Sequence, residues 1–592
     1  MSNTVLLIDK IEQIPYISSR GEQGKIIAFN PSCYVALEKA GFDFERVDHI
    51  ENICIDLQND TFEYSERLLN EFVEYADGVL FKHSIDCREQ EIRLFHYNRY
   101  KIKLLLDSAL FNVFVLNKVF QKYKPQRVIY LCTGVSSEVD FRFSNNSSII
   151  ELLIKRVCRH YSAELVLFDD IERTQTHQVL YDRGESLNYK LKLALLNLKN
   201  KFKREVFDQS QPLVIVSDSR EIEYLEDQLV KEGIQFKNSA EILKSSRPVA
   251  IDLDLLYRDL CHFEKIAFNG ISFSDLVFSR LKVLLNEFIP SIQTYYGLEA
   301  WVTNNPVTFG VFGTHSSHNI KNVLLPKILK ENGLRFACWM HGGIGHYLRT
   351  PGFEQADFMF GDIYLTYGDN ARDMADQMSK LETRTLGSRI SRLKYDKSKI
   401  KETITVTMPP WQINSFMLGE RFNEYYFNFW PTLEAIFHVL GKHQENYEIV
   451  IRSLPDENQN FTLNTFLENH SYHNIKVLPV GTESLFEIYE RTALHISLWV
   501  STTFWEAALS DARILLFDQG PMTEEGILNI ESRADRFTEL GEFCQSLDQI
   551  LVNGELQNSK IGEHFLAECL NHSQFSSLAQ RTAQLIKEYS KS

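Results

Sequence analysis

Four passages of this 592-residue chain combine residue types that bind anions or move protons, and each follows an apolar run. In Val500-Ser501-Thr502-Thr503-Phe504-Trp505-Glu506, small hydroxyl residues open a helix. Such residues cap the helix, and with its free N–H groups and dipole they form a seat for an anion. Glu506 is placed to reach a ribose or sugar hydroxyl. In Ile449-Val450-Ile451-Arg452-Ser453-Leu454-Pro455, a strand ends on Arg452, whose guanidinium can fork onto a phosphate, and Pro455 stiffens the exit. In Trp339-Met340-His341-Gly342-Gly343-Ile344-Gly345-His346, the glycines allow close backbone approach and His341 can hold or move a proton. In Thr133-Gly134-Val135-Ser136-Ser137-Glu138-Val139-Asp140, either carboxylate can serve as base or nucleophile. Thr314 and His315 are of the same polar-loop type. Each passage also has a purely structural reading: an N-cap with a first-turn acid, a strand-end salt bridge, a turn around a hydrogen-bonded histidine, a solvated acidic loop.

Other chemistries are missing from the sequence. There is no phosphate-binding G-x-x-x-x-G-K-[ST], no H-E-x-x-H and no G-x-S-x-G, and Gly342, Gly343 and Gly345 lack dinucleotide spacing. No metal-ligand spacing stands out. Asp252 and Asp254 superficially form a D-x-D, but in an apolar run that reads as a strand end. Cys33, Cys54, Cys87, Cys132, Cys158, Cys261, Cys338, Cys544 and Cys569 are scattered, odd in number and without C-x-x-C, as expected of reduced core thiols.

The elements that position these passages alternate between short aliphatic runs and longer helical patterns, the mark of parallel α/β units. Strands are expected at Val5–Asp9, Lys25–Phe29, Arg127–Cys132, Glu164–Phe168, Leu213–Ser217, Thr308–Phe312, Arg335–Met340, Ile363–Thr366, Arg384–Leu386, Thr403–Met408, Glu448–Arg452, Ile475–Val480, His495–Trp499 and Ile514–Phe517. Helices are expected at Pro31–Ala40, Thr61–Tyr75, Glu91–Tyr123, Ser147–Tyr161, Glu221–Glu232, Ser274–Phe288, Asn319–Asn332, Ala371–Lys380, Phe422–Lys442, Ser484–Arg491 and Phe504–Ser510, and through the remaining C-terminal stretch. The polar stretch Asp169–Gln211, with helical character at Leu191–Lys203, marks one boundary. The basic stretch Ser388–Lys401 reads as a linker. Three units follow: 1–205, 206–395 and 396–592. Ligands of open parallel sheets bind beyond the carboxyl ends of strands, where the four passages lie.

Hydrophobic residues make up 44% and charged residues 24%, ordinary for a globular chain. The 79 acidic against 63 basic residues give a net charge of −16, which disfavours a nucleic-acid coat. No run of about 18 apolar residues occurs and the N-terminus does not read as a signal peptide. A soluble cytoplasmic protein is expected, at most peripheral to the inner face of the membrane.

Residues of about 300–520 resemble bacterial GT-B glycosyltransferases of capsule, lipopolysaccharide and teichoic-acid assembly. Phe336–Gly343 followed by Asp362-Ile363-Tyr364-Leu365-Thr366-Tyr367-Gly368 is similar to the "HG … aD-yl-t-G" passage that closes their first domain. Val450-Ile451-Arg452-Ser453-Leu454-Pro455 is similar to "v-R-x-H-P", with Leu454 where relatives that use cytidine nucleotides carry histidine. Ser501–Ala507 is similar to the "S-S/T-x-x-x-E-A" donor loop. The resemblance implies an α/β, GT-B-like fold in which two Rossmann-like halves face a cleft, the N-terminal half being enlarged. It implies a nucleotide-sugar donor, CMP-linked sugars included, as substrate rather than cofactor, and no catalytic metal. The donor would sit on Arg452, Pro455, Ser501, Thr502, Thr503 and Glu506 of the C-terminal unit. Gly342, Gly343, Thr314 and His315 would line the cleft, and His341, Glu138 or Asp140 would act in catalysis. The acceptor would be a glycan or lipid-linked glycan. A CDP-polyol phosphotransferase and a non-catalytic glycan-binding scaffold are the alternatives on the same fold.

Overall fold

A computed structural model describes residues 3–19, 24–133, 149–168, 207–217, 219–242, 244–313, 323–340, 359–369, 372, 381–396, 401–408, 418, 423–453, 457–479, 482–498, 500–518, 530–557, 570 and 577–591. Its strands form three parallel sheets. The first contains β1 (Thr4–Ile8), β2 (Lys25–Ala28), β3 (Glu45–Arg46), β4 (Arg127–Leu131) and β5 (Glu164–Phe168), in the order β3-β2-β1-β4-β5. The second contains β6 (Leu213–Ser217) and β7 (Gln235–Asn238). After a small antiparallel hairpin, β8 (Ala267–Phe268) and β9 (Ile271–Ser272), it continues with β10 (Val307–Phe312), β11 (Phe336–Trp339), β12 (Ile363–Thr366) and β13 (Glu382–Thr385). Its order is β13-β12-β11-β10-β6-β7. The third contains β14 (Thr403–Thr407), β15 (Glu448–Ser453), β16 (Ile475–Pro479), β17 (Thr492–Ser497), β18 (Arg513–Phe517) and β19 (Asp535–Phe537), in the order β16-β15-β14-β17-β18-β19. Central strands such as Val5–Ile8 and Leu213–Ser217 are buried along their length. That is why they read as unbroken aliphatic runs rather than alternating patterns: helices cover both faces.

Between β3 and β4 run two long helices, Ile53–His83 and Arg99–Tyr123. The second is almost entirely buried, and Lys103 inside it is held by Asp107 at 2.9 Å and Glu66 at 2.7 Å. These helices belong to one apolar cluster with the second sheet. The opposite face of the first sheet shares a second cluster with the third sheet. Helix Pro31–Lys39 packs there against helix Glu457–Asn469. Ser32 and Thr462 hydroxyls meet at 2.7 Å in that buried contact, and Arg46 Nη1 donates to both carboxylate oxygens of Glu434 at 2.8 and 2.9 Å. The last helix, Leu578–Tyr589, returns to the second sheet, where Tyr589 stacks on Phe309 with ring centroids 5.6 Å apart.

Several elements depart from the sequence expectation. Helix Ile53–His83 extends far beyond Thr61–Tyr75 because its ends are fixed by tertiary burial of Ile53, Leu57, Val79 and Leu80. The short stretch Asp535–Phe537 is a sixth strand of the third sheet, where helix was expected. Asp252 does not end a strand: it caps helix Leu253–Leu260 by accepting from Asp254 N at 3.1 Å and Leu255 N at 3.0 Å. The stretch expected as a linker is partly packed, with Ser388 and Ser391 buried around a turn of 3-10 helix, Arg389–Arg392. Gly387, at φ +105°, turns the chain from β13 into that segment and accepts from Trp339 Nε1 at 3.2 Å. Residues 191–203 and 373–380 lie outside the described residues.

Candidate functional site

In the third sheet the strand order reverses between β14 and β17, and that crevice is where an open parallel sheet takes a ligand. Register places Thr407, the last residue of β14, between Arg452 on β15 and Ser497 on β17. The first turn of helix Thr502–Leu509 is tied to this point. Ser501 is its N-cap and accepts from Thr503 N at 3.3 Å. Its hydroxyl also meets Thr503 Oγ1 at 2.7 Å, and Thr503 Oγ1 donates to Thr407 Oγ1 at 3.2 Å. A chain of hydroxyls thus runs from the helix N-terminus to the end of the central strand. Thr502 is the first helical residue.

Arg452 is buried, and its Nη1 reaches Leu478 O at 3.5 Å. Burial lowers its proton affinity, while the charges of Glu483 and Tyr489 act in the opposite direction. A guanidinium remains charged under such pressure. Tyr489, fully buried on helix Leu485–Arg491, faces Thr503, Thr407 and Glu506 as well as Arg452. His495 touches Thr407 Oγ1 with Nε2 at 3.3 Å; burial, helped by the charge of Arg533, pushes it down to about 3. It is a neutral packing histidine at ordinary pH.

Glu506, in the second turn, is pushed up to about 7 by burial, with Arg389 opposing. Its neighbours include Tyr395, which stacks on Phe486 at 4.8 Å. Arg389 also binds the second sheet's side of the junction. Its backbone N–H donates to Glu221 Oε2 at 2.8 Å, and its Nε lies 3.8 Å from Glu221 Oε1. Ser388 Oγ and Tyr367 OH donate to the same Oε1 at 3.1 and 3.3 Å. Glu221 opens the helix after β6, and Tyr367 follows β12. Glu221, Arg389 and Glu506 thus line the junction between the carboxyl edges of the second and third sheets.

At the strand-order reversal of the first sheet, Gln13 bridges the ends of β1 and β4. Gln13 Oε1 accepts from Asp9 N at 2.9 Å and Lys10 N at 3.0 Å, and its Nε2 donates to Leu131 O at 2.8 Å. Tyr130 OH donates to Asp9 Oδ1 at 2.8 Å beside it.

Of the residues expected to carry function, the structure gathers Arg452, Ser501, Thr503 and Glu506 around Thr407 and Tyr489. Pro455, His341, Gly342, Gly343, Thr314, His315, Glu138 and Asp140 lie outside the described residues. Thr407, Tyr489, Tyr395, Arg389 and Glu221 were not singled out from the sequence. Thr407 carried a signal: hydroxyls recurring in Thr403-Ile404-Thr405-Val406-Thr407, a strand buried on both faces, must find internal partners. Among the described residues no group of three or more His, Cys, Asp or Glu is arranged to hold a metal ion, and no helix is long and apolar enough to cross a membrane.

No protein family matches the chain in a scan of family profiles, and no curated protein matches it. Solved structures do align with it. Sucrose-phosphate synthase from Thermosynechococcus elongatus is 11% identical over 64% of this chain and 99% of its own, at a TM-score of 0.37. Acinetobacter baumannii MurG is 12% identical over 64% and 99%, at 0.34. S. aureus MnaA, solved with UDP, is 11% identical over 64% and 96%, at 0.38.

Proposed function

We propose that this protein is a glycosyltransferase that takes a sugar from a nucleotide-activated donor seated at the carboxyl edge of the third sheet. The observation that carries this reading is the convergence of Arg452, the Ser501–Thr503–Thr407 hydroxyl chain and the N-terminus of helix Thr502–Leu509 on one strand-order reversal. A fixed cation and oriented N–H and O–H donors are what a leaving phosphate needs as charge develops on it. Glu506, near its midpoint of ionisation at neutral pH, supports contact with a hydroxyl of the donor. In the same reading the acceptor is a glycan or lipid-linked glycan of a bacterial surface polysaccharide. His341, Glu138 or Asp140 supplies the proton transfer or nucleophile.

A panel of CMP, CDP, UDP, GDP and dTDP in thermal unfolding tests the reading. A ligand that binds the native state raises apparent stability by mass action. At least one nucleotide is expected to raise Tm, and an alanine pair at Ser501 and Thr502 to abolish that rise. A panel without effect would remove the reading.

A further inference from the structure

Helix Arg99–Tyr123 carries a lysine and an aspartate that are both enclosed, Lys103 and Asp107. Lys103 Nζ lies 2.9 Å from Asp107 Oδ2, 2.7 Å from Glu66 Oε1 and 3.0 Å from Ser65 Oγ. Ser65 Oγ in turn donates to Asp107 Oδ1. A buried ion pair of this kind is seldom more stabilising than apolar side chains of the same size, and its best-attested use is to fix register. The cluster reaches beyond the two long helices: Asp107 Oδ2 accepts from the backbone N–H of Leu418 at 2.8 Å. Leu418 is fully buried, so its N–H needs an internal partner. It lies on the connection that leaves β14 at Thr407 and enters helix Asn423–Lys442. One turn further along helix Arg99–Tyr123, on the same face as Asp107, Phe111 stacks on Phe427 with ring centroids 5.4 Å apart. A helix of the first unit thus presents a directional acceptor and an aromatic ring to the far end of the connection that starts at the strand-order reversal.

We propose that Asp107 is a positioning residue for the donor site: through the N–H of Leu418 it fixes the far end of the connection that leaves Thr407. Connections at the carboxyl ends of strands flanking a reversal are what wall the crevice of an open parallel sheet. The proposal rests on the donor-site reading given above. It separates two quantities that packing alone would tie together. Stability follows the balance of charge around Lys103, whereas nucleotide affinity follows the acceptor that faces Leu418.

Calorimetric titration with CMP, CDP, UDP, GDP and dTDP, alongside Tm without ligand, tests this in wild type, Asp107→Asn and the Lys103→Met/Asp107→Leu pair. Asp107→Asn keeps an acceptor for the Leu418 N–H but leaves Lys103 short of a counter-charge. It is expected to lower Tm yet bind the tightest nucleotide within about twofold of wild type. The apolar pair removes the acceptor and both charges. It is expected to keep Tm within a few degrees yet weaken Kd roughly tenfold. Hydrogen exchange reads the bond itself: the Leu418 amide should lose protection in the pair and keep it in Asp107→Asn. Wild-type affinity in the apolar pair overturns the proposal while the donor site stands. Equal weakening in the two variants also overturns it, since binding would then follow the charge and not the acceptor. If the pair does not fold, wild type decides: saturating nucleotide must slow exchange at Leu418 beyond its effect on the amides of β1, and an equal effect overturns the proposal. Absence of nucleotide binding by wild type overturns both the proposal and the donor-site reading.

Discussion

Thr503 Oγ1 donates to Thr407 Oγ1 at 3.2 Å, fastening the first turn of a helix to the last residue of the strand at the centre of the third sheet. The bond joins residues far apart in sequence and sits at the strand-order reversal. It holds the helix N-terminus over the carboxyl end of the strand that pairs with Arg452. Replacing Thr503 by Val is expected to cost about 1 kcal/mol of stability, the net worth of one internal hydrogen bond. It should weaken nucleotide binding about fivefold, with the Thr407→Val and double variants showing coupling between the two. Urea unfolding and calorimetry measure both terms; additive losses would mean the two hydroxyls do not act together.

Glu506 gives the junction a pH dependence with a definite sign. Its ordinary value of 4.5 rises to about 7 in the fold because burial penalises the charged form. The folded state therefore holds the proton more tightly than the unfolded state. The carboxyl costs little below pH 4.5, and stability falls as pH rises through 7. The full penalty is at most about 3 kcal/mol. Glu506→Gln should gain stability over wild type as pH increases, by about 2 kcal/mol between pH 5 and pH 8. A difference that does not change with pH would show that Glu506 titrates normally.

Gln13 ties the ends of β1 and β4 together with three hydrogen bonds. Gln13→Ala leaves buried backbone groups unpaired and should cost about 2–3 kcal/mol in chemical unfolding. Nucleotide affinity should not change. A parallel loss of affinity would place ligand binding in the first unit instead.

Tyr589 secures the C-terminal helix to the second sheet. Its ring stacks on Phe309, Arg335 lies over it at 4.7 Å, its hydroxyl accepts from Arg384 Nε at 3.0 Å, and it also bonds Glu382. Tyr589→Ala is expected to cost about 3–4 kcal/mol and Tyr589→Phe about 1 kcal/mol. Urea midpoints for the two variants separate ring packing from hydroxyl bonding; equal losses would assign all of the effect to the hydroxyl.

The alternation of elements was legible because buried parallel strands must be apolar throughout. Leu213–Ser217 and Ile363–Thr366 match their expected bounds residue for residue, as does the half-buried edge strand Glu164–Phe168, whose apolar run is Leu165–Phe168. Asp535–Phe537 was not legible, since a half-buried edge strand of two charged residues and one phenylalanine leaves no apolar run. At the site, Arg452 and the Ser501–Thr503 turn could be read because strand ends and helix caps have local signatures. Arg389 and Tyr489 could not. Arg389 sits in a polar, basic stretch, and its pairing with Glu221 comes from a residue 168 positions away. Tyr489 looks like any apolar helix residue until the fold surrounds it with Thr407, Thr503 and Glu506.

The most direct test of the donor-site account is calorimetric titration of wild type and Arg452→Ala with the nucleotide that most raises Tm. Arg452 is buried beside the strand-order reversal, so its loss should weaken binding at least tenfold while Tm in the absence of ligand shifts by only a few degrees. Unchanged affinity in a folded Arg452→Ala variant would contradict the account.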